Sequence, residues 1–349
     1  MQDIIQSYID ENLPFFAFKL PDERKVKIGL ADEARSINFT ELENISKNSF
    51  IIFPFDNNLS SGWAFSSKEE NEITIEESDF YDEYKFDDSI DSFSLYEFNN
   101  YKLQFSEMME SFQKENVSKA ILSKVIEVEK SASFSVVDMF KRLLNKYPST
   151  YVFLFSTKET GMWMGASPEL LFSRVGDRCK TVSLAGTRSP DDTIDKWTNK
   201  EKEEQGMVTS FIDDVLSKNH VVDYHKENIK LINVGSVSHL KTSYEFKITS
   251  ETSWGNIIKE LHPTPALCGE PKLKAMKLIQ RVEPHNREFY GGFMGFIDKD
   301  VNLYVNLRSM KIEEKDLKIF VGGGLTKKSI LEDEWNELKL KSQILLSIL

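Results

Sequence analysis

The feature that most constrains the fold is a run of strand-like segments with no helix between them. These apolar or alternating segments lie at residues 151–156, 162–166, 169–175 and 180–184. Around this run, helical and strand-like patterns intermingle without a regular βαβ rhythm, and the sequence contains no phosphate-binding glycine loop. This pattern favours an α+β protein built as a sandwich of large antiparallel sheets.

The remaining local patterns supply the other elements of this fold. Apolar residues at helical spacing predict helices over 99–116, 136–147, 202–218 and 331–349. Strand patterns appear at 15–20, 49–55, 117–128, 302–311 and 316–321, and again within 229–253. Residues 68–98 are rich in acidic side chains, and we expect a solvated excursion between the N-terminal strands and the main body. Its functional alternative is an acidic surface that docks a partner.

Composition excludes several classes of partner. The 349 residues are 40% hydrophobic with 25 Phe, so the chain can bury a large core as one big domain or two ordinary ones. The net charge of -12 argues against nucleic acid and anionic lipid, and an anionic substrate would need a local positive site. Two distant cysteines give no disulfide framework, which fits a reducing cytoplasm. We expect no signal peptide and no membrane span.

The stretch 261–295 reads LHPTPALCGEPKLKAMKLIQRVEPHNREFYGGFMG. Its prolines and glycine predict a stiff loop around Thr264 and Ala266. A helix with Leu273, Met276 and Ile279 on its apolar face should follow and end near Pro284, and residues 290–292 should return as a strand. A rigid loop of small residues is where a backbone can approach a ligand closely, although an ordinary proline-bounded loop has the same pattern.

The amino-acid sequence of this stretch resembles that of the chorismate-utilising enzymes. HPTPALCG, followed by VEP, NRE and YGGFMG, is most similar to isochorismate synthases, within a family that also includes salicylate synthase and the first components of anthranilate and aminodeoxychorismate synthases. The resemblance covers roughly residues 100–349. It implies one domain over 1–349, with a variable N-terminal part (1–98) and a catalytic core (99–349). It also implies layered sheets, outer helices and a site in a cleft between them.

Two residues are candidates for proton transfer. Lys119 lies in VSKAILSKVIEV, whose two strand faces are both largely apolar, so burial should favour its neutral amine, although a lysine extending to solvent fits equally well. Glu169, in GASPELLF, has apolar neighbours that raise a carboxyl pKa, whereas an exposed turn is the commoner setting for SPE. The resemblance implies that Lys119 is a general base toward water and Glu169 a general acid. Anthranilate synthases are expected to lack this lysine.

Three glutamates are candidates for holding a metal. Glu204 falls at one end of an apolar helical stripe, and Glu334 and Glu337 share a face of the last helix, where Glu337 could instead form a surface ion pair with Lys341. The resemblance implies that Glu204 and Glu337 bind magnesium and that Glu334 holds a metal-bound water, since hard oxygen ligands suit this ion. The family's KDxxEH segment is altered here at Glu201 and Gln205, neither of which is the ligand position.

The remaining candidates would hold the substrate. Arg308 is predicted to lie mid-strand among apolar residues, and the paired N–H donors of its guanidinium group suit a carboxylate. The glycines of VGGGL, including Gly322 and Gly324, could turn backbone N–H groups toward an anion or form a plain loop. The resemblance adds Gly186 and Thr187 of SLAGT, His239, Ala266 and Lys341 to this set. Ala185 stands where aminodeoxychorismate synthases carry a nucleophilic lysine, which argues against covalent catalysis.

The resemblance implies a magnesium-dependent isochorismate synthase. Chorismate would gain water at C2 and lose its 4-hydroxyl, in service of either menaquinone or a catechol siderophore. Salicylate synthase is an alternative, although such enzymes tend to carry threonine at the position of Ala266, and anthranilate synthase component I is another. A catalytically silent subunit that binds a partner through 68–98 is the alternative outside enzymes. The sequence demands no more than a monomer and leaves a dimer open.

Overall fold

The computed structural model describes residues 1–75, 93–188, 197, 199–234 and 237–349. Its helices are α1 Gln2–Asp10, α2 Leu95–Lys114, α3 Val136–Lys146, α4 Asn199–Lys218, α5 Trp254–Leu261, α6 Lys272–Val282 and α7 Leu331–Leu346, with a 3₁₀ turn at Phe39–Asn44. Its strands are β1 Phe15–Lys19, β2 Lys25–Ile37, β3 Ser49–Phe53, β4 Gly62–Thr74, β5 Lys119–Glu129, β6 Tyr151–Thr157, β7 Gly161–Ser167, β8 Leu170–Val175, β9 Arg178–Arg188, β10 Tyr224–Lys226, β11 Lys230–Val234, β12 Val237–Lys247, β13 Gly269–Glu270, β14 Phe293–Ile297, β15 Val301–Val305, β16 Ser309–Ile312 and β17 Asp316–Thr326.

The described strands form one long antiparallel ladder. Starting at β13, its order is β13, β5, β17, β16, β7, β6, β1, β2, β4, β3, β14, β15, β8, β9 and β12, and β12 also pairs with β10 and β11. The predicted run of strands without a helix is β6 to β9, in which β6 pairs with β7 and β8 pairs with β9, while the turn from β7 to β8 connects separate parts of the ladder. The expectation of large antiparallel sheets is confirmed.

Alternate residues of the central strands face different cores. In β1, Phe16 and Phe18 pack into an aromatic core, whereas Phe15 packs into a second core on the other side. In β14, Phe296 faces the aromatic core and Phe293 faces a third one. The bent ladder therefore encloses the aromatic core between its two halves, as in a sandwich. Its main members are Phe16, Phe18, Phe50, Phe65, Phe153, Phe155, Trp163, Phe289, Phe296 and Phe320.

Helices cover the two outer faces of this sandwich. Buried residues of α1, α2, α3, α6 and α7 pack into the second core, and those of α4 and α5 pack into the third. Serine side chains begin several of these helices by accepting a backbone N–H, such as Ser135 at α3 and Ser253 at α5. The predicted arrangement of layered sheets with outer helices is thus confirmed. No helix in the described part of the chain is long and apolar enough to span a membrane.

The strand predicted over 302–311 is wrong, because the chain changes partners in its middle. β15 pairs with β8 and β14 in one half of the ladder, and β16 pairs with β7 and β17 in the other. Arg308 lies between these strands with a φ of 49°, and its carbonyl accepts a hydrogen bond from Ala166 N at 3.2 Å. Arg308 is therefore at a crossover between the two halves and not mid-strand.

The acidic stretch 68–98 is not a continuous excursion. Its first residues belong to β4, where Glu70 and Glu72 form diagonal ion pairs with Lys27 and Lys25 of β2. These cross-strand ion pairs make an acidic strand compatible with the sheet. Its last residues begin α2, and residues 76–92 lie outside the described part of the chain.

The stretch 261–295 differs from its prediction in two details. The helix α6 forms, but its buried stripe is Ala275, Leu278, Ile279 and Val282, while Leu273 is 79% exposed. Residues 290–292 form a turn, and the strand β14 begins only at Phe293. The loop before α6 is packed against β5, where Ile121 N donates to Cys268 O at 2.9 Å.

Candidate active site

A cavity lies where the two ends of the strand ladder approach each other. One wall comes from β5 and β17 and the opposite wall from β9 and β12, with α4 and α7 beside them. Its empty space of about 920 Å³ includes open solvent at its mouth. The predicted residues that line it are Lys119, Glu169, Gly186, Thr187, Glu204, His239, Ala266, Arg308, Gly322, Gly324, Glu337 and Lys341. Glu334 is not in the lining; its carboxylate is buried close behind.

Lys119 is the first residue of β5, and its side chain is only 2% exposed. Its Nζ lies 3.8 Å from Glu204 Oε2, which favours the charged ammonium. Burial outweighs this attraction and lowers the pKa of Lys119 below that of an ordinary lysine. The lysine is therefore buried, as the strand pattern predicts, and its lowered pKa increases the fraction of the side chain that is a neutral amine.

Glu169 lies in the turn between β7 and β8 and is 3% exposed. Its backbone is fixed on both sides, because its N–H donates to Ser167 Oγ at 3.3 Å and its carbonyl accepts from Val305 N at 3.0 Å. Burial raises the pKa of its carboxyl group to about 8, although the positive charges of Lys119 and Arg308 oppose the shift. Near neutral pH this carboxyl group holds a proton that it can donate.

Carboxylates and lysines alternate at the inner end of the cavity. Lys200 Nζ contacts Glu334 Oε1 and lies 3.8 Å from Glu204 Oε1. Lys341 Nζ lies 2.8 Å from Glu337 Oε1, within α7. Burial raises the pKa of Glu204, and burial together with the charge of Glu337 raises that of Glu334 to about 7. Three carboxylates and three lysines, including Lys119, are thus interleaved here, and burial shifts Glu204 and Glu334 toward their neutral forms.

Arg308 and His239 form a pair on the opposite side of the cavity. Arg308 Nη2 donates to His239 Nε2 at 2.6 Å, and His239 Nδ1 donates to Gly186 O at 2.7 Å. Burial, reinforced by the charge of Arg308, lowers the pKa of His239 well below its usual value, so the imidazole is neutral and can accept from Arg308. Arg308 Nη1 is buried without a hydrogen-bond partner, which leaves a donor for an anionic ligand.

The glycines of VGGGL are part of a strand and form neither an anion-binding turn nor a plain loop. Gly322, Gly323 and Gly324 lie within β17 and pair with Ser123, Leu122 and Ile121 of β5, which overturns the prediction. A Cβ at Gly324 would lie 3.0 Å from Lys119 Cε, and one at Gly322 would lie 3.0 Å from Tyr290 Oη. Their role in the geometry is to leave room beside Lys119.

Gly186 marks an irregularity opposite His239. Its φ is 71°, and the pairing of β9 with β12 shifts register at this point, as in a β-bulge. A Cβ here would lie 2.8 Å from Trp197 Cζ3, so a larger residue would not fit without movement. The bulge places the Gly186 carbonyl where it accepts from His239, and it brings Thr187 to the cavity wall.

Glu283 and Arg287 hold two walls of the cavity together. The sequence patterns did not identify them. Arg287 is 4% exposed and donates to both carboxylate oxygens of Glu283, at 2.8 and 2.5 Å. It also donates to Leu267 O at 2.9 Å and to Ile121 O at 3.0 Å, and Glu283 Oε1 accepts from Ser123 N at 2.7 Å. The i, i+4 spacing of an acid and an arginine within VEPHNRE is the signal that could have identified them.

The donor set suits a hard divalent cation. Three carboxylates approach this end of the cavity, and Glu334 Oε2 is buried without a protein partner. A Cβ on Gly323 would lie 3.7 Å from both Glu334 Oε2 and Glu337 Oε1, so the glycine keeps the space between them open. With lysines in contact with these carboxylates, the described residues contain no group of three acidic, histidine or cysteine side chains close enough to hold an ion. As arranged here, these three carboxylates do not converge on one point.

The family model for chorismate-binding enzymes matches residues 55–349, which is most of the chain. The chain belongs to the chorismate-binding enzymes. Its match begins within the N-terminal part, well before the blocks on which the resemblance was based, so the family unit includes β4 and α2.

Individual chorismate-binding enzymes show the same relationship. The chain is 31% identical over 243 residues to isochorismate synthase EntC of Escherichia coli, a match that spans 66% of this chain and 62% of EntC. It is 25% identical over 268 residues to anthranilate synthase component 1 of Bacillus pumilus, covering 72% of this chain and 51% of that protein. The matched part is thus less than two thirds of either relative.

Solved structures extend the fold relationship to nearly the whole chain. DhbC from Bacillus anthracis, described as a candidate 2,3-dihydroxybenzoate-specific isochorismate synthase, superposes with a TM-score of 0.82 over 99% of both chains at 22% identity. The menaquinone-specific isochorismate synthase MenF of Escherichia coli gives 0.79 over 96% of this chain at 18% identity. The N-terminal strands therefore belong to the shared fold.

Proposed function

We propose that this chorismate-binding enzyme is a magnesium-dependent isochorismate synthase. The observation that carries the proposal is that one cavity contains a lysine whose pKa is lowered and a glutamate whose pKa is raised, both by burial. A neutral amine can accept a proton from water, and a protonated carboxyl group can give one to a leaving oxygen. Groups with opposite shifts are typical of an acid and base pair.

In the proposed reaction, Lys119 takes a proton from a water molecule as the water oxygen attacks C2 of chorismate. The ring double bonds shift, the C4–oxygen bond breaks, and Glu169 protonates the departing hydroxyl, which leaves as water. One water enters and one leaves, so isochorismate is an isomer of chorismate. The two groups approach from different walls, Lys119 from β5 and Glu169 from the turn before β8.

A cationic side chain and a bound magnesium ion would hold the two carboxylates of the substrate. Arg308 has a free buried donor and is oriented by His239, so we assign it to the enolpyruvyl carboxylate. Glu204 and Glu337, with Glu334 through water, would hold magnesium, which supplies positive charge for the ring carboxylate. Lys341 lies next to Glu337 and also donates to Gly322 O at 2.9 Å.

Incubation with chorismate and magnesium in ¹⁸O-labelled water tests this function. We expect isochorismate that carries one heavy oxygen at C2, and no product in EDTA. Pyruvate release with salicylate would indicate a salicylate synthase, and anthranilate formed with ammonium would indicate an anthranilate synthase. No consumption of chorismate under any of these conditions would overturn the proposal in favour of a silent subunit.

A further inference from the structure

One lysine occupies the space between two of the carboxylates assigned to the metal. Lys200, near the start of α4, contacts Glu334 Oε1 on α7, and its Nζ lies 3.8 Å from Glu204 Oε1, one helical turn further along α4. A single ammonium group therefore joins α4 to α7 across the inner end of the cavity. Together with Lys119, which lies 3.8 Å from Glu204, it supplies positive charge to these two neighbouring carboxylates.

The other lysines of this cluster are held differently. Lys119 is 2% exposed and lines the cavity from the first residue of β5. Lys341 is fixed twice, by Glu337 within its own helix at 2.8 Å and by Gly322 O of β17 at 2.9 Å. Lys200 is 24% exposed, and its four-carbon stem reaches the site from the rim. Lys200 is therefore the more exposed of the two lysines that lie 3.8 Å from Glu204.

Glu334, the carboxylate that Lys200 contacts, has one oxygen that makes no hydrogen bond in the described structure. Glu334 is 1% exposed, one of its oxygens contacts Lys200, and its other oxygen has no protein partner. A buried carboxylate oxygen without a donor is costly, and a divalent cation would compensate it better than one ammonium group. The lysine contact is thus the weaker of two ways to neutralise this site.

We propose that Lys200 is an internal counter-cation of the metal-free enzyme, and that a divalent cation must displace its ammonium group from Glu334 and Glu204 to bind. The inference rests on the proposed function, which assigns these carboxylates to magnesium. In the absence of substrate, Lys200 then lowers the affinity of the protein for the metal. Before the metal binds, Lys200 also keeps α4 and α7 together. Removal of its charge should therefore tighten metal binding, an effect that damage to the fold would not produce.

The direct test is calorimetric titration of the full chain with magnesium chloride, without substrate. We compare the wild type with Lys200→Gln and with Lys202→Gln, which makes the same charge change at an exposed position on the same helix. Lys200→Gln should bind magnesium about tenfold more tightly than Lys202→Gln, a difference that corresponds to about 1.4 kcal/mol. Lys202→Gln should stay within about twofold of the wild type, because solvent and salt screen an exposed charge.

Thermal unfolding of the same samples gives an independent readout. Without metal, Lys200→Gln should melt below Lys202→Gln, because Glu204 and Glu334 lose their counter-cation. Magnesium should raise the melting temperature of Lys200→Gln more than that of either other protein, as tighter binding requires. Wild-type binding with equal or weaker binding by Lys200→Gln would overturn the role of Lys200 alone. No magnesium binding by either the wild type or Lys200→Gln would overturn the metal assignment together with this inference.

Discussion

Two clusters of buried charge lie on either side of β5, and they differ in how completely they are paired. In the cluster of Glu283 and Arg287, both carboxylate oxygens accept from the guanidinium, whose remaining donors reach backbone carbonyls, all within 3.0 Å. In the cavity, Lys200 contacts Glu334 and Lys341 pairs with Glu337, but Lys119 lies 3.8 Å from Glu204, and one buried polar atom each of Arg308 and Glu334 makes no hydrogen bond. Pairing in the first cluster fits a structural role, and incomplete pairing in the second leaves capacity for ligands.

The shifts in pKa follow the same division. Attraction to Glu283 raises the pKa of Arg287 despite its burial, so the guanidinium stays charged. In the cavity, burial prevails and moves both Lys119 and Glu169 toward their neutral forms. Substitutions in the first cluster should therefore reduce stability, and those in the second should reduce activity.

The largest loss of activity should come from substitution of the carboxylates that we propose bind magnesium. Glu204→Gln or Glu337→Gln should abolish turnover of chorismate and leave the fold intact, because an amide is a poor ligand for magnesium. Steady-state rates and circular dichroism on the same preparations check this. Glu203→Gln is the matched control, since Glu203 is exposed and pairs only with exposed Lys328 in the described structure. Full wild-type activity in EDTA would contradict the metal assignment.

The structural cluster should show the opposite response. Arg287→Met should lower the free energy of unfolding by about 3–5 kcal/mol, because it leaves Glu283 buried without its partner. Arg281→Met is the control on the neighbouring helix; its ion pairs with Glu107 and Glu115 are exposed and should contribute about 0–1 kcal/mol. Urea unfolding measures both. Equal losses in the two variants would show that the buried pair has no special structural role.

Proton donation by Glu169 should be visible in the dependence of rate on pH. The acid must be protonated, so kcat/KM should fall as the pH rises through about 8, the raised pKa of Glu169. Glu169→Gln should react about 10²- to 10⁴-fold more slowly and lose this alkaline decline, since an amide does not titrate. A decline near pH 8 that persists in Glu169→Gln would assign it to another group.

The smallest effect is expected at the edge of the cavity. Ala266 lies in the loop that Arg287 fixes through Leu267 O, and it lines the cavity. Ala266→Thr should change the balance of products toward pyruvate release, because a hydroxyl group would then lie beside the ring. Chromatography of products with a pyruvate assay measures the balance. Unchanged rates and products would place Ala266 outside the working site.

Local sequence patterns predicted most elements but not how the chain changes partners. The alternation around Lys119 correctly indicated a strand buried on both faces, because that signal lies within the strand itself. The break at Arg308 and the strand at Gly322 to Gly324 depend on pairing with β7 and β5, which are distant in sequence. Leu273 was placed on the wrong face because the apolar spacing in α6 fits more than one stripe.

The grouping of the site required more than local patterns. Lys119, Glu169 and Arg308 come from different parts of the strand ladder, and no periodicity within a segment shows that these segments meet. The family resemblance predicted the grouping, and the structure places these residues on one cavity. Their chemical roles stay predictions. The spacing of Glu337 and Lys341 indicated one ion pair, but neither the patterns nor the resemblance indicated that Lys119 and Lys200 lie beside Glu204, because side-chain pairing depends on the assembled fold.

The most direct test of the difference between the two clusters is Lys119→Ala, examined for melting temperature and single-turnover rate on the same sample. We expect a folded protein that melts near the wild type and still binds chorismate, but adds water about 10²- to 10⁴-fold more slowly. A folded protein with unimpaired water addition and a lowered melting temperature would show that Lys119 merely pairs a core carboxylate. That result would contradict the proposed mechanism.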